Sequence, residues 1–347
     1  MSSKLEKDAA WEGTFLSLLY RQFFLHPTPL PDSTRLEGQT AIITGANSGL
    51  GFEASRQLLQ LGLSHLVIAV RSQKKGEDAV GRLRGEFPNA KIEVSVLDMA
   101  DYDSIVAFTQ RCKDLENIDY AILNAAMQSS KFERNEKTDH EAVFQTNYLS
   151  TALLTLLLAA IMREKKRQKS KSESSSSPAR VPVLSVVGSD TMYMADVRTD
   201  GSIFEFMDDP ARYAKVQQYA NSKLLLMMFV SRLAEKTNPE DVIISVCNPG
   251  FTGGTSLGHD GLGNPFIDRF FLPIFTRIMA RPTPVGASVY THALLMEKEE
   301  SHGSFVSDWA IKPYAPVMYT PEGRSTINRL WDETVDELGL SSSIWES

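Results

Sequence analysis

At 347 residues, with 42% hydrophobic and 23% charged side chains, the chain is long and apolar enough to bury the core of one large α/β domain. A formal net charge of -7 excludes the dominant basic surface of a nucleic-acid binder, and two cysteines, Cys112 and Cys247, exclude a disulfide framework. Sparse cysteine and a charged, polar first ten residues, unlike the apolar stretch of a secretory signal, lead to an expected cytoplasmic, reducing location.

Residues 1–37 read as an extension. Trp11, Phe15, Leu18 and Leu19 recur at helical spacing, Tyr20, Phe23, Phe24 and Leu25 widen the stripe, and Pro27, Pro29 and Pro31 stop it. The stripe predicts a helix docked on the domain, or else a weak peripheral contact of residues 10–26 with an internal membrane. From residue 40 strands and helices alternate. Strands are predicted at 40–43, 66–70, 92–97, 120–123, 183–187, 242–247 and 304–306. Helices are predicted from the first glycine turn to about residue 61, then at 74–87, 102–115, 140–162, 213–236, 266–280, 283–296 and 321–338. Apolar strands alternating with helices predict an α/β fold, a Rossmann-type doubly wound parallel sheet with helices on both faces, in a single domain over residues 38–340. Residues 341–347 are left as a tail. The apolar runs at 152–162 and 224–230 are too short to span a bilayer. Residues 163–180 carry seven basic residues and six serines, and read as a disordered surface insertion.

The first strand runs into Thr44-Gly45-Ala46-Asn47-Ser48-Gly49-Leu50-Gly51, and a helix follows at once. Glycines let backbone approach a pyrophosphate closely, and the helix N-terminus offers it amide N–H groups. Where NAD-binding folds place a carboxylate for the ribose 2′-OH, this chain has Arg71-Ser72, with Lys74 and Lys75 behind. Arg71 can pair a 2′-phosphate in a fork geometry, which favours NADP(H) over NAD(H). Asp98, after the third strand, is placed either to accept from an adenine amino group or to cap the next helix. Tyr219 and Lys223, four apart on a helix, share one face. A fixed positive charge favours the phenolate, so the pair predicts a proton donor and acceptor usable near neutral pH.

The 44–51 turn, Leu123-Asn124-Ala125-Ala126 after the fourth strand, Asn147, Ser189 after the fifth strand, Tyr219 with Lys223, and Asn248-Pro249-Gly250 after the sixth follow one order. In that order they resemble the short-chain dehydrogenase/reductase family, over nearly all of residues 38–340. The likeness is to its retinol-dehydrogenase-like and protochlorophyllide-reductase-like members, in the version common in fungal biosynthetic gene clusters. The extension and Leu330-Trp331-Asp332-Glu333-Thr334 fit that branch. The resemblance implies that Tyr219 exchanges a proton with the substrate oxygen, and that Lys223 favours the phenolate and bonds the nicotinamide ribose. It implies that Ser189 polarises the carbonyl and that Asn147 anchors a water in a relay from Lys223. Thr44, Gly45, Asn47, Ser48, Gly49, Leu50, Gly51, Arg71, Asp98, Asn124, Ala125, Tyr219, Lys223, Pro249, Gly250 and Thr252 would bind the cofactor, NADP(H), and no metal is implied. Ala126 stands where the family has Gly, and Gly254 where it has Thr. Ser185 and Tyr213 are rivals for the catalytic serine and tyrosine. Ser189 is preferred because it follows the strand, and Tyr213 has Gln217 in place of a lysine.

Met192, Tyr193, Met194, Phe204, Phe206 and Met207, with Phe251 and 266–278, suggest an apolar wall, at most half of these residues being in the pocket. That predicts a bulky apolar carbonyl or alcohol substrate, of the kind met in secondary-metabolite, polyketide-like chemistry. The apolar faces at 224–230 and 153–162 predict either a homodimer or cover from within the chain. Two other functions share the scaffold: a non-redox isomerase, cyclase or dehydratase, and a non-catalytic NADP-binding regulator. The four intact reactive residues argue against the regulator.

Overall fold

The computed structural model describes residues 1–172, 180–198, 200–254, 272–296 and 298–339. Its centre is an eight-stranded sheet in the order β3-β2-β1-β4-β5-β6-β7-β8. The strands are β1 (Thr40–Thr44), β2 (His65–Val70), β3 (Lys91–Val96), β4 (Tyr120–Leu123), β5 (Val183–Val187), β6 (Ile243–Asn248), β7 (Phe305–Ser307) and β8 (Ala310–Lys312). All pairs are parallel except β7 with β8. That last hairpin is absent from the sequence reading, because three residues after a turn give no periodic signal. Its turn is Asp308-Trp309, both at positive φ, the geometry of a tight two-residue hairpin.

Period-two alternation divides the core between the faces of the sheet. Ile42, Val67, Ala121, Leu184 and Ile244 point to one side, and Ala41, Ile43, Ile68, Ile122 and Ile243 to the other. The second side is covered by α3 (Gly49–Gln60), α4 (Gln73–Glu86) and α11 (Thr283–Leu295). The first is covered by α5 (Tyr102–Cys112), α7 (Ser150–Ser172), α9 (Lys215–Glu235) and α12 (Pro321–Glu337), with the short α8 (Ile203–Met207). The single turn α6 (Ala142–Phe144) and a π-helix, Gln145–Leu149, lead into α7. The stretch Ala142–Lys171 is apolar and long enough to cross a membrane, but 83% of its apolar window is buried in the fold, as in a core helix.

The reading of the 163–180 segment is corrected. Residues 163–172 continue α7 as helix instead of forming a disordered loop, and 173–179 lie outside the described residues. The basic side chains account for the difference. Lys165 donates to the carbonyls of Lys113 and Leu115, Lys166 to that of Glu240, and Arg167 pairs with Asp241 at 2.7 Å. Of the two apolar faces for which a homodimer and cover from within the chain were both open, the one at 224–230 is covered within the chain, while Leu157, Ala160 and Ile161 of the other are only half-buried. Every residue of 224–230 is buried, and Trp331 of α12 stacks on Phe229 at 5.6 Å.

The extension forms two helices, α1 (Glu6–Glu12) and α2 (Phe15–Phe24), and is tied into the sheet: the Phe305 amide donates to Ser2 Oγ at 2.8 Å. Its orientation is the reverse of a docked apolar stripe. Ser17, Arg21 and Gln22 of α2 are buried with Glu12, while Trp11, Phe15, Leu16, Tyr20, Phe23 and Phe24 are exposed. Of the expected 266–280 helix, residues 266–271 lie outside the described residues, and α10 (Leu272–Met279) supplies the rest.

Candidate active site

The strand order reverses direction between β1 and β4, and a crevice opens there at the carboxyl ends of the strands, where doubly wound sheets hold ligands. Its volume is about 1930 Å³. A single drug-sized ligand needs roughly 300–1,000 Å³, so there is room for a dinucleotide and a substrate together.

At one end lies the glycine turn. Gly49 opens α3 at φ 57°, in the left-handed region, and the Ser48 side chain makes no capping bond to that helix. A Cβ at Gly51 would stand 2.7 Å from Asn124 Nδ2 and 2.9 Å from the Gly45 carbonyl oxygen, so only glycine lets the turn fold this tightly. Gly45, Asn47, Ser48, Gly49 and Leu50 line the crevice; Thr44 and Gly51 do not. Those two build the turn from beneath, Thr44 accepting the Ala125 amide at 2.9 Å. Asn124 faces the crevice, yet its amide is spent on structure. It donates to the Thr44 carbonyl at 3.0 Å and accepts from Tyr290 Oη at 3.1 Å. Arg71, Ser72 and Lys75 line the wall beyond β2, with both cations exposed. Asp98 lines it too, and its carboxylate receives the Ala100 amide at 3.0 Å, a turn contact that caps no helix. A tight amide-lined turn at the start of a 12-residue helix, followed by two cations, fits a phosphorylated dinucleotide.

At the other end are Ser189, Tyr219 and Lys223. Gln218 anchors the start of α9 by donating to Glu141 Oε2 at 2.7 Å and to the Met207 carbonyl at 2.9 Å. The next residue, Tyr219, therefore enters the crevice at a fixed height. Burial pushes its phenol up to about 12, and a hydrogen bond with Ser189 pulls it back in part. Lys223 donates to the Val187 carbonyl at 2.7 Å, and burial pulls its ammonium down to about 8. Its Nζ is 5.5 Å from the centre of the Tyr219 ring. Desolvation, rather than the mutual attraction expected from the spacing, dominates both groups. Ser189 caps a single 3-10 turn, accepting the Thr191 amide at 3.2 Å.

Asn147 is not in the crevice. It sits in the π-helix, an irregularity frequent at functional sites, and its side chain holds the Met127 backbone from both sides at 2.8 and 2.9 Å. It also donates to Ser222 Oγ at 3.2 Å. With both ends of the amide engaged, the side chain supports the loop after β4.

The rivals face elsewhere. Ser185 is buried and accepts from Ser245 Oγ at 3.3 Å, while Tyr213 donates to the Ser129 carbonyl at 2.9 Å. Pro249, Gly250 and Thr252 line the crevice, but the Thr252 hydroxyl is turned onto the Gly250 carbonyl at 3.2 Å. Of the six apolar residues after Ser189, only Tyr193 and Met194 line the crevice; Met192, Phe204 and Met207 are buried in the core, with Phe206 packed against it. Four residues near the site went unread in the sequence: Arg21, Gln22, Asp190 and Tyr290. The polar positions Glu12, Ser17, Arg21 and Gln22, recurring through an aromatic helix, were the available signal.

The short chain dehydrogenase family profile matches residues 39–171. The short chain dehydrogenase virL of Hypocrea virens is 47% identical over 340 residues, covering 98% of this chain and 96% of its own. The short chain dehydrogenase/reductase mfmJ of Annulohypoxylon moriforme is 39% identical, over 92% of this chain and 90% of its own. Two solved structures share the fold. The NADPH-dependent 3-quinuclidinone reductase of Rhodotorula rubra superposes with a TM-score of 0.58 at 16% identity, over 85% of this chain and 98% of that one. The L-sorbose reductase of Gluconobacter frateurii, complexed with NADPH and L-sorbose, gives 0.59 at 17% identity, over 79% and 96%. With relatives this similar along nearly its whole length, the chain belongs to the short-chain dehydrogenase/reductase family of oxidoreductases.

Proposed function

We propose that the chain is an NADP(H)-dependent oxidoreductase that interconverts a carbonyl and an alcohol on a bulky, apolar substrate, a secondary-metabolite intermediate of polyketide-like type. One observation carries this reading: a single crevice joins the glycine turn and Arg71 at one end to Ser189, Tyr219 and Lys223 at the other. Gly45, Asn47, Ser48, Gly49 and Leu50 would hold the pyrophosphate, with Arg71, Ser72 and Lys75 around a 2′-phosphate. When bound, the nicotinamide supplies the hydride equivalent of the reaction. The chain's own groups manage the oxygen. Ser189 donates to the carbonyl oxygen and polarises it, and Tyr219, kept protonated by burial, gives up its phenolic proton in the reducing direction. Lys223, held at the Val187 carbonyl, places a cation beside the phenolate that results. Tyr193, Met194 and Phe251, with Phe15 and Leu18 of α2, give the substrate end its apolar character. The same reading places the protein in the cytoplasm, with α2 making a weak contact with an internal membrane surface.

The test is NADPH against NADH consumption with menadione and α-tetralone as probe substrates, for the wild type and Arg71→Asp. A charge-assisted bidentate pair is worth about 1.5–3 kcal/mol, so the substitution should cost roughly 10–100-fold in kcat/KM for NADPH and little for NADH. A wild-type preference for NADH, unchanged in the variant, removes Arg71 from this role. Conversion of a substrate without loss of NADPH would point instead to an isomerase, cyclase or dehydratase.

A further inference from the structure

The inward face of α2 carries a buried ion cluster. Arg21, only 3% exposed, meets Glu12 at 3.1 Å, Asp190 at 3.4 Å and Asp308 at 3.8 Å. Glu12 has a second cation in Lys312 at 3.0 Å, and Asp308 one in Arg281 at 2.6 Å. Three carboxylates and three cations thus balance. Among the described ion pairs, Arg21 is the cation that reaches Asp190.

Asp190 is the residue after Ser189 and opens the turn that Ser189 caps. Its Oδ1 also accepts from Asn248 Nδ2 at 2.6 Å, at the head of the Asn248-Pro249-Gly250 turn. The neighbouring residue of α2 grips the same loops: Gln22 donates to the Phe251 carbonyl at 2.7 Å and to that of Met279 at 2.6 Å. Arg281 donates to the Arg21 carbonyl at 2.7 Å, and a Cβ on Gly250 would come within 2.7 Å of Arg281 Nη1. A buried ion pair is weak evidence for stability, because desolvation offsets its attraction; what such a cluster fixes is geometry. Here the geometry fixed is that of the two loops flanking the reacting oxygen.

We propose that Arg21 is a positioning residue for the reaction: acting through Asp190, it sets the place of the Ser189 hydroxyl, so the active site is complete only with α2 docked. The inference rests on the role of Ser189 given under the proposed function. It makes the N-terminal extension a part of the enzyme's chemistry, beyond its contribution to the crevice wall.

The experiment is a double-mutant cycle on the full chain, with NADPH and menadione, using Arg21→Met, Asp190→Asn, Ser189→Ala and the two doubles with Ser189→Ala. Loss of an oriented donor costs on the order of a hundredfold in kcat, the expectation for Ser189→Ala. Misplacement of such a group costs about tenfold or more, the expectation for Arg21→Met and Asp190→Asn, with KM for NADPH little changed. If Arg21 acts through Ser189, either substitution has almost no further effect once Ser189 is Ala, whereas general damage to the fold would add its full loss. Asp190→Asn keeps an acceptor for Asn248 and carries the cycle should Arg21→Met fail to fold, and Arg21→Lys should recover part of the loss. Additive losses, or single variants with wild-type kcat, overturn the inference while leaving Ser189 in place. Full activity in Ser189→Ala overturns the role of Ser189 and this inference with it.

Discussion

Tyr219 and Lys223 stand one helical turn apart, yet each answers first to its burial. The phenol is pushed up to about 12 and the ammonium pulled down to about 8. The four-residue spacing announced the pair and its shared face, but not that both ends would be dry, because burial depends on loops distant in sequence. A consequence can be measured in the absence of any ligand. Lys223 ordinarily ionises at 10.5 and in the fold at about 8, so folding releases its proton between those values. This group opposes folding most below pH 8, and its penalty fades as pH rises through that window. At about 1.4 kcal/mol per pH unit, the stability of the wild type relative to Lys223→Met should improve by roughly 3 kcal/mol between pH 8 and 10.5. Denaturant unfolding of both proteins across that range checks it. A constant difference, or one that moves the other way, shows that Lys223 is not desolvated as described. Asn147 teaches a related point. Its residue type and position were legible, whereas its engagement by the Met127 backbone was not.

Among the elements, those with strong periodicity were the most legible. The first seven strands lie within a residue or two of their sequence-derived bounds, since uniformly apolar runs between turns have few alternatives. The segment 163–172 was misjudged because lysines and serines suggest solvation, while helix continuation and carbonyl partners at Lys113, Leu115 and Glu240 favoured order. In α2 the helix was foreseen and its orientation was not. An aromatic stripe normally faces inward, but the ion cluster around Arg21 turns it outward. An outward face bearing Phe15, Leu16, Tyr20, Phe23 and Phe24 suits an interfacial contact. Co-sedimentation with phosphatidylcholine vesicles should therefore retain a fraction of the wild type. Leu16→Ser with Phe24→Ser removes two apolar side chains worth about 1.5–3 kcal/mol each when fully buried, and should lower partitioning at least tenfold. Equal partitioning of the two proteins rules the contact out.

At the scale of the whole molecule, one domain brings distant stretches of sequence to a single opening, with residues from 12–22, 45–50, 187–223 and 248–254 among those that line it. The doubly wound order explains why, since the direction of winding changes between β1 and β4 and leaves the strand ends uncovered. Local pattern could place the glycine turn and the Tyr219–Lys223 helix. It could not place Arg21 against Asp190, a contact 169 residues apart in sequence. The covering of α9 by α12 has the same origin. In the proposed function the crevice transfers a proton through Tyr219 while its other end holds the dinucleotide. Its most direct test is the rate of NADPH-dependent reduction by Tyr219→Phe, measured beside NADPH binding by fluorescence. Loss of about 10²-fold or more in kcat with binding retained is expected; a Tyr219→Phe protein that reduces its substrate at the wild-type rate rules out proton transfer through Tyr219.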